Sequence, residues 1–220
     1  MKQGKLTAVV AVRKGSQRIK NKNIRKFGDS SLLERKLDLL NKVTSIDEII
    51  VNSDCEKMLN IAKDYGVIAQ KRDNYFASSE CTNTEFHGHI ASVTNTDTIF
   101  LAPVCSPFVS KESHEKAIRY YLDNDYDSVT SVTTVKNHLW LNGKPINYDV
   151  DNVPNSQDLP DVVKLNYGIT IIDREVMKNL KRVVGNNPGF YSLNELESID
   201  IDTEFDFMIA ERVYDKLKEK

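Results

Sequence analysis

The chain has 220 residues, with 30 Lys and Arg against 32 Asp and Glu, so its net charge at pH 7 is −2. Hydrophobic residues make up 40% of it and charged residues 28%, a balance typical of soluble globular proteins. The near-neutral charge argues against nonspecific nucleic-acid binding, and no apolar run approaches the roughly 20 residues of a membrane span. We therefore expect one domain over residues 1–220, with neither nucleic acid nor membrane as partner.

The first predicted element is a strand over residues 6–12, where an apolar, β-branched run indicates burial on both faces. A basic loop follows, with no acidic residue among its five cations, which are Arg13, Lys14, Arg18, Lys20 and Lys22. Gly15 and Ser16 lie within this loop, and glycine lets backbone amides turn toward an anion. The pattern indicates a phosphate-binding loop, with a solvated basic turn as the alternative. It matches neither the Walker loop nor the dinucleotide-binding glycine fingerprint.

Strands and helices alternate along most of the remaining chain. Short β-rich runs predict strands over residues 48–52, 67–70, 98–101, 128–135 and 167–173. Apolar periodicity predicts one helix after a capping-box pattern at residues 31–34, and others over residues 55–65, 84–94, 111–123 and 174–180. Thr203 is expected to cap a last helix, whose predicted apolar face consists of Phe205, Met208, Ile209, Val213 and Leu217. This alternation predicts a three-layer α/β/α fold with a mostly parallel, Rossmann-like sheet, in which ligands bind beyond the carboxyl ends of the strands.

The stretch over residues 136–166 breaks this alternation. It is rich in Asn, Asp and Pro, and it holds Trp140, the only tryptophan of the chain. A floppy surface loop, a small hairpin and an oligomerisation arm are three interpretations of such a stretch. Because a long structureless loop inside a compact domain is uncommon, the hairpin and the arm are favoured.

The cysteines indicate a reducing compartment. Cys55, Cys81 and Cys105 are odd in number and widely spaced, which favours free thiols over disulfides or a structural zinc site. His87 and His89 are two residues apart, a poor spacing for joint metal ligands on a helix. Residues 1–5 lead directly into the first strand without a signal-peptide pattern, so we expect a cytoplasmic protein.

Two acidic residues near the end of the chain form a candidate cation site. Residues 198–203 alternate between polar and apolar, which predicts a half-exposed strand with Asp200 and Asp202 on the same face. Two such carboxylates repel each other unless a cation or hydrogen-bond donors lie between them, and Mg²⁺ prefers one or two carboxylates together with phosphate oxygens. The alternative is that both residues only cap and solubilise a strand–helix junction.

Two motifs at opposite ends of the chain resemble those of the acylneuraminate cytidylyltransferase family, whose members make CMP-activated acidic sugars. The first has the N-terminal spacing of that family and consists of Arg13, Gly15, Ser16, Arg18, Ile19, Lys22 and Asn23. The second, residues 198–206, resembles the metal-binding carboxylate segment of the family. The resemblance extends over nearly the whole chain and implies an enzyme that joins CMP from CTP to an acidic sugar and releases pyrophosphate.

The resemblance also implies roles for individual residues. Arg13, Lys22 and Asp202 would be catalytic, and Asp200 and Asp202 would hold Mg²⁺. The residues implied in binding the nucleotide are Arg13, Gly15, Ser16, Lys22, Asn23, Arg72 and Asn83. For Arg72, a surface ion pair with Asp73 or a neighbour is the alternative. Residues 136–166 would be a dimerisation excursion that reaches toward the neighbouring subunit's site, which implies a homodimer.

The acceptor side departs from the family pattern. Ala102 stands where sialic-acid members carry a sugar-contacting glutamine, Val109 replaces an arginine, and Trp140 replaces a pocket lysine. The substrate-binding residues that the resemblance still implies are Ser106, Lys164 and Asn166. Losing polar contacts weakens the binding of a polyhydroxylated acid, so the acceptor is expected to be another acidic sugar or an organophosphonate. A nucleotide-binding module that has lost catalysis is the hypothesis from another class.

Overall fold

A seven-stranded sheet forms the centre of the computed structural model, which describes residues 2, 4–16 and 18–219. In chain order the strands are β1 (Leu6–Ala11), β2 (Lys26–Phe27), β3 (Ser30–Ser31), β4 (Glu48–Ser53), β5 (Ile68–Lys71), β6 (Thr98–Leu101), β7 (Ser128–Val135), β8 (Trp140–Leu141), β9 (Lys144–Pro145), β10 (Val162–Asp173) and β11 (Pro188–Ser192). The sheet order is β11-β7-β10-β6-β1-β4-β5. Its neighbouring strands run parallel except β10, which is antiparallel to both β6 and β7.

Helices cover both faces of this sheet. They are α1 (Leu32–Leu40), α2 (Glu56–Asp64), α3 (Asn74–Ala77), α4 (Asn83–Val93), α5 (Lys111–Asp123), α6 (Arg174–Leu180) and α7 (Glu204–Lys218). Alternate residues of β1 point to opposite sides, so Ala8 and Val10 pack in a core with α1, α2, α5 and α7. Val9 packs on the other side, in a smaller core with α4 and α6. The predicted three-layer α/β/α fold with a mostly parallel sheet is confirmed.

Most predicted elements have the bounds that the sequence indicated. Strands β6 and β7 and helices α5 and α6 coincide with the predicted ranges, and the others differ by a few residues. Gly66 follows α2 with a φ of +69°, the left-handed conformation that ends many helices. The predicted domain also includes Met1, Gln3, Gln17 and Lys220, which lie outside the described residues.

The predicted strand over residues 198–203 is wrong. This segment is a turn followed by irregular chain, and the last strand of the sheet is β11, which the sequence analysis missed. β11 begins with Pro188 and Gly189, two residues that disfavour a central strand but are tolerated at an edge. Gly189 is needed there because a Cβ would come within 2.6 Å of the Tyr126 ring. Parallel pairing with β7 therefore overrides the local sequence preference.

The predicted apolar face of the last helix is also wrong. Helix α7 buries Phe207, Ala210 and Tyr214, while four residues of the predicted face are exposed, namely Phe205, Met208, Ile209 and Leu217. Apolar residues surround much of this helix, so periodicity alone could not select the buried stripe. Aromatic packing selects it, since the rings of Phe207 and Tyr214 lie 5.6 and 5.5 Å from that of Phe27.

The stretch after β7 contains a two-stranded hairpin, β8–β9, and a 3₁₀ turn over Ser156–Asp158. β10 begins at Val162, so residues 162–166 of the predicted excursion belong to the central sheet. The hairpin interpretation of this stretch is confirmed, whereas its part in dimerisation stays a prediction. Among the described residues, no helix combines the length and apolarity that crossing a membrane requires.

Candidate active site

The basic loop after β1 lines a cavity of about 400 Å³ at the carboxyl edge of the sheet. Arg13, Ser16, Arg18, Lys22 and Asn23 form one wall, and the segment after β6 forms the other. Gly15 has a φ of +76°, a conformation that favours glycine, and a Cβ there would meet no atom within 4 Å. The loop is therefore an open, cationic turn beside a cavity, which we call the phosphate cavity.

The acidic segment before α7 meets this loop. Lys22 Nζ donates to the backbone oxygen of Ile201 at 2.6 Å, and Arg18 Nη2 lies 2.8 Å from Asp202 Oδ1. The acidic segment also contacts the chain that follows β6, because the Ile201 amide donates to the Cys105 carbonyl at 2.9 Å. The two ends of the chain that carry the family-like motifs are thus in direct contact, although Asp200 and Asp202 do not lie on a strand.

Asp200 has one carboxylate oxygen that its protein neighbours leave unsatisfied within the described part of the chain. It is half-buried, and within the described part of the chain its Oδ1 atom is buried without a hydrogen-bond partner. Burial raises the pKa of Asp200, and the nearby charge of Asp202 raises it further. The described residues contain no cluster of three or more His, Cys, Asp or Glu side chains suited to a metal. A cation here would therefore be held by two carboxylates and by oxygens from ligands or water.

Cys105 lies against Asp200 but is not an activated nucleophile. Burial raises the pKa of Cys105 to about 12, and the Asp200 carboxylate raises it as well. A thiol in that state is protonated at neutral pH, whereas the nucleophilic form of cysteine is the thiolate. Covalent catalysis through this residue is therefore not part of the chemistry we derive.

A second cavity, of about 390 Å³, lies beside Arg13 and Arg72 and is called the base cavity here. Arg72 is 4% exposed and donates to the side chain and backbone of Asn52, at 2.6 Å each, and to the Val12 carbonyl at 3.2 Å. Burial lowers the pKa of Arg72 to about 10, so it remains charged at neutral pH. The surface ion pair with Asp73 is thus wrong for Arg72, whose guanidinium is a buried clamp between β1 and β4.

Arg13 and Asn23 are also held by backbone groups. Arg13 Nη1 donates to the carbonyls of Ala77 and Ser78, at 2.8 and 2.9 Å, which joins the basic loop to the end of α3. Asn23 is buried and donates to the Arg13 carbonyl at 3.2 Å. These bonds fix the wall shared by the phosphate and base cavities.

A third cavity, of about 350 Å³, adjoins the other two and is called the apolar cavity. Its apolar lining residues are Val9, Ala11, Phe86, Leu101, Ala102, Pro103 and Val183, and its polar ones are Asn83, His87, Tyr167 and Thr170. Ala11 borders all three cavities, so they meet at the end of β1. Asn83 borders both the base cavity and the apolar cavity from the first turn of α4.

The three predicted substrate-binding residues do not border any of these cavities. Ser106 is 2% exposed, and its carbonyl accepts a hydrogen bond from Lys36 Nζ at 3.2 Å. Asn166 uses its side chain inside the protein, donating to Thr133 Oγ1 at 2.8 Å and accepting from the Gly168 amide at 3.2 Å. Lys164 is exposed on β10, opposite Thr133. Their contact with an acceptor stays a prediction.

Sequence reasoning missed several residues around the apolar cavity. Phe86 and His87 come from α4, Tyr167 from an irregularity in β10, and Val183 from the loop after α6. Tyr167 has a φ of +54°, which distinguishes this irregularity from regular strand. No short-range pattern joins these positions, because only the three-dimensional fold brings them together.

A cationic loop beside a cavity at the carboxyl edge of an α/β sheet, in contact with an acidic segment, suits the binding of a phosphate-bearing ligand. Comparison with known proteins identifies the family to which the chain belongs. The family model described as cytidylyltransferase matches residues 7–155, more than half of the chain, and the chain belongs to that family. It is therefore a nucleotidyltransferase, and the resemblance of its sequence motifs is confirmed at the level of the family.

Similar proteins include a flagellin modification protein, a CMP-N,N'-diacetyllegionaminic acid synthase and an N-acylneuraminate cytidylyltransferase. Post-translational flagellin modification protein B of Campylobacter coli is 24% identical over 219 residues, covering 94% of this chain and 93% of that protein. CMP-N,N'-diacetyllegionaminic acid synthase of Campylobacter jejuni is 23% identical over 222 residues, covering 94% and 93%. N-acylneuraminate cytidylyltransferase of Escherichia coli is 24% identical over 221 residues, and the chain spans about half (52%) of its length.

Solved structures show the same fold. CMP:2-keto-3-deoxy-manno-octonic acid synthetase in complex with CTP superposes with a TM-score of 0.73 at 14% identity, over 96% of this chain and 99% of that one. The 4-diphosphocytidyl-2C-methyl-D-erythritol synthase of Anaerococcus prevotii has a TM-score of 0.71 at 16% identity, over 96% of both chains. At such identities the likeness establishes the architecture alone.

Proposed function

We propose that this chain transfers CMP from CTP to an acidic sugar and releases pyrophosphate. The observation that carries the proposal is the contact between the basic loop and the acidic segment, with Lys22 Nζ 2.6 Å from the Ile201 carbonyl. A triphosphate bound in the phosphate cavity would contact Lys22, which lines that cavity and donates to the acidic segment. Two relatives, an N-acylneuraminate cytidylyltransferase and a CMP-N,N'-diacetyllegionaminic acid synthase, support an acidic sugar as acceptor.

The nucleotide is placed with its triphosphate in the phosphate cavity. Arg13 and Lys22 supply positive charge there, Arg as a planar fork and Lys as a point charge. The loop amides at Gly15 and Ser16 add neutral donors. Phosphoryl transfer depends mainly on such positioning and charge neutralisation, so the same residues that bind also lower the barrier.

The cytosine is placed in the base cavity. Arg72 and Asn83 border that cavity directly. Asn23 acts indirectly, because it donates a hydrogen bond to the carbonyl of Arg13. Because Arg72 already donates to Asn52 and Val12, we assign it chiefly to holding the shape of this cavity. The base is therefore recognised by a cavity whose shape Arg72 fixes, rather than by a side chain that moves to meet it.

Mg²⁺ is the cofactor that we assign to Asp200 and Asp202. The buried, unpartnered Oδ1 of Asp200 supports this assignment, because a carboxylate oxygen in that state needs a cation or a donor. When bound, the ion would polarise the α-phosphate and neutralise its developing charge. Lys22 donates to the carbonyl of Ile201, the residue between Asp200 and Asp202 in the sequence, and Arg18 donates to the Asp202 carboxylate. We assign no dedicated general base.

The active assembly that we propose is a homodimer in the cytoplasm. Residues with exposed apolar side chains crowd the excursion between β7 and β10, namely Trp140, Leu141, Ile146, Val150 and Val153. Such a patch marks an interaction surface more often than a solvated one. The three free thiols support a reducing compartment. Light scattering on the purified protein should give twice the mass of the chain, and the monomer mass would contradict the dimer.

Pyrophosphate release tests the proposed function. The protein is incubated with CTP, Mg²⁺ and a panel of acidic sugars, organophosphonates and neutral sugars, and CTP binding is measured in parallel by calorimetry. Release with an acidic sugar supports the proposal. Release only with a phosphonate would mean that the acceptor is a phosphonate and not an acidic sugar. CTP binding without turnover would mean that the protein is a nucleotide-binding module.

A further inference from the structure

Lys36 brings a positive charge into the interior of the protein. It lies in α1, is 3% exposed, and its Nζ donates to the Ser106 carbonyl at 3.2 Å. Burial lowers the pKa of Lys36 to about 8, so the amine is charged at pH 7. Within the described part of the chain this charge has no carboxylate partner. Burying a charge in this way costs folding free energy, and an apolar side chain would occupy the same place at a lower cost.

The carbonyl that Lys36 holds belongs to the segment between β6 and α5. Pro103, Val104 and Cys105 of this segment line the phosphate cavity. The segment consists of turns and irregular chain, and its two prolines, Pro103 and Pro107, have no N–H to donate. It therefore depends on hydrogen bonds from neighbouring elements to hold its shape.

The chain after β6 is also joined to the acidic segment and its surroundings at two points. The Ile201 amide donates to the Cys105 carbonyl at 2.9 Å. Glu197, which precedes the acidic segment, accepts from the amide and the hydroxyl of Ser110, at 2.9 and 2.6 Å. The bond from Lys36 lies between these two points in the sequence, so it fixes the chain that joins them.

We infer that Lys36 is a positioning residue, whose bond to the Ser106 carbonyl holds the acidic segment beside the phosphate cavity. Holding Ser106 from α1 keeps the neighbouring Cys105 carbonyl in line with the Ile201 amide. That a metal ion binds the two carboxylates of this segment rests on the proposed function. Lys36 itself is not among the residues that line the three cavities, so it acts through the backbone. Replacing a group that orients metal ligands from outside commonly changes metal affinity or activity by about 10- to 100-fold.

Lys36→Met tests this inference, because it removes the donor and the charge but keeps a side chain of similar length. The urea midpoint at pH 7 should rise, since a buried charge is lost. The Ile201 amide should nevertheless exchange its hydrogen with solvent about tenfold faster, as measured by NMR without CTP or Mg²⁺.

Steady-state kinetics provide the second readout, with the acidic sugar that gives the fastest pyrophosphate release in the panel described above. In Lys36→Met, kcat should fall and KM for Mg²⁺ should rise, each by about tenfold or more. A residue with only a structural role would change stability and activity in the same direction, whereas we expect them to change in opposite directions.

Two further variants serve as controls. Lys36→Arg keeps a charged donor and should restore slow exchange of the Ile201 amide, with kcat closer to wild type than that of Lys36→Met. Lys42→Met removes an exposed amine just after α1 and should change neither the exchange at Ile201 nor the kinetic constants.

The outcomes separate this inference from the proposed function. An Ile201 exchange rate and a KM for Mg²⁺ equal to wild type in Lys36→Met would overturn the inference. A variant less stable than wild type would also overturn it, because Lys36 would then be a structural residue. Wild-type protein that neither binds CTP nor releases pyrophosphate would remove the proposed function, and the exchange rates of the Ile201 amide would still decide whether Lys36 holds the acidic segment.

Discussion

The two sides of the cleft, which we propose hold the nucleotide and the acceptor, are built in opposite ways. Around the phosphate and base cavities, Arg13, Lys22 and Arg72 are each fixed by bonds to backbone carbonyls. Around the apolar cavity, Leu101, Ala102 and Val183 contribute apolar side chains without charge. Fixed charges suit a ligand that is the same for every turnover, and a wall of packed side chains suits selection among similar acceptors.

The largest effect should follow from removing a charge on the nucleotide side. Asp202→Asn keeps the shape of the side chain but weakens the proposed Mg²⁺ site, so we expect kcat/KM to fall about a thousandfold, or about 4 kcal/mol. Glu204→Gln is the matched control, since Glu204 lies two residues away and pairs with Arg25 instead. Steady-state pyrophosphate release measures both. Activity within a few-fold of wild type in Asp202→Asn would contradict the metal assignment.

The frame of the base cavity gives the next effect. Arg72→Lys keeps the charge but loses the planar fork that spans Asn52 and Val12. We expect KM for CTP to rise about tenfold and the free energy of unfolding to fall by about 2 kcal/mol, because buried carbonyls lose their donor. Arg119→Lys, an exposed change on α5, should alter the unfolding free energy by less than about 0.5 kcal/mol. Equal urea midpoints for the two variants would show that Arg72 is not a clamp.

A buried amine, that of Lys36, contacts the segment after β6 that both sides of the cleft share. Lys36 is 3% exposed and donates to the Ser106 carbonyl, and burial lowers its pKa from 10.5 to about 8. Cys105 and the neutral His114 are the titratable groups that face it. Below pH 8 both the folded and the unfolded chain hold this proton, so the full burial cost, on the order of 3 kcal/mol, applies.

Between pH 8 and 10.5 the unfolded chain binds more protons at Lys36 than the folded chain, so stability rises with pH. Lys36→Met should therefore be more stable than wild type at pH 7, by about 1–3 kcal/mol after the lost hydrogen bond is counted. That advantage should shrink as pH rises toward 10.5. Urea unfolding of both proteins at pH 7 and pH 10 measures the difference, and a constant difference would mean that the amine does not titrate as stated.

The smallest effect on stability should come from the exposed ion pair between the basic loop and the acidic segment. The side chains of Arg18 and Asp202 are 65% and 47% exposed, so the pair contributes less than about 1 kcal/mol to folding. Arg18→Gln should leave the urea midpoint nearly unchanged but weaken CTP binding several-fold at low salt, with a smaller effect at high salt. A large loss of stability, or CTP affinity equal to wild type at low salt, would contradict this division of roles.

The same contrast explains what the sequence could predict. Charged motifs with fixed spacing identified the basic loop and the carboxylates before α7, because each lies within a few consecutive residues. Strong local periodicity likewise gave the bounds of α5 and β6. The apolar cavity could not be predicted, since Phe86, Tyr167 and Val183 come from separate elements and look like core residues in the sequence.

The wrong predictions have a common physical cause. β11, the irregular chain at residues 198–203 and the buried stripe of α7 are all decided by tertiary contacts rather than by local preference. Ser106 and Asn166, whose contact with an acceptor stays a prediction, were selected by their place in family motifs and do not line the three cavities. Asn166 instead hydrogen-bonds the side chain of Thr133, a contact between β10 and β7 that the sequence alone does not show.

The central claim is that one triphosphate touches both the basic loop and the acidic segment. A crystal structure with CTP and Mg²⁺ tests it most directly. We predict phosphates between Lys22 and the Asp200–Asp202 pair, one metal ion on those two carboxylates, and cytosine beside Arg72. CTP bound elsewhere, or triphosphate that reaches the loop while the carboxylates remain metal-free, would contradict the account.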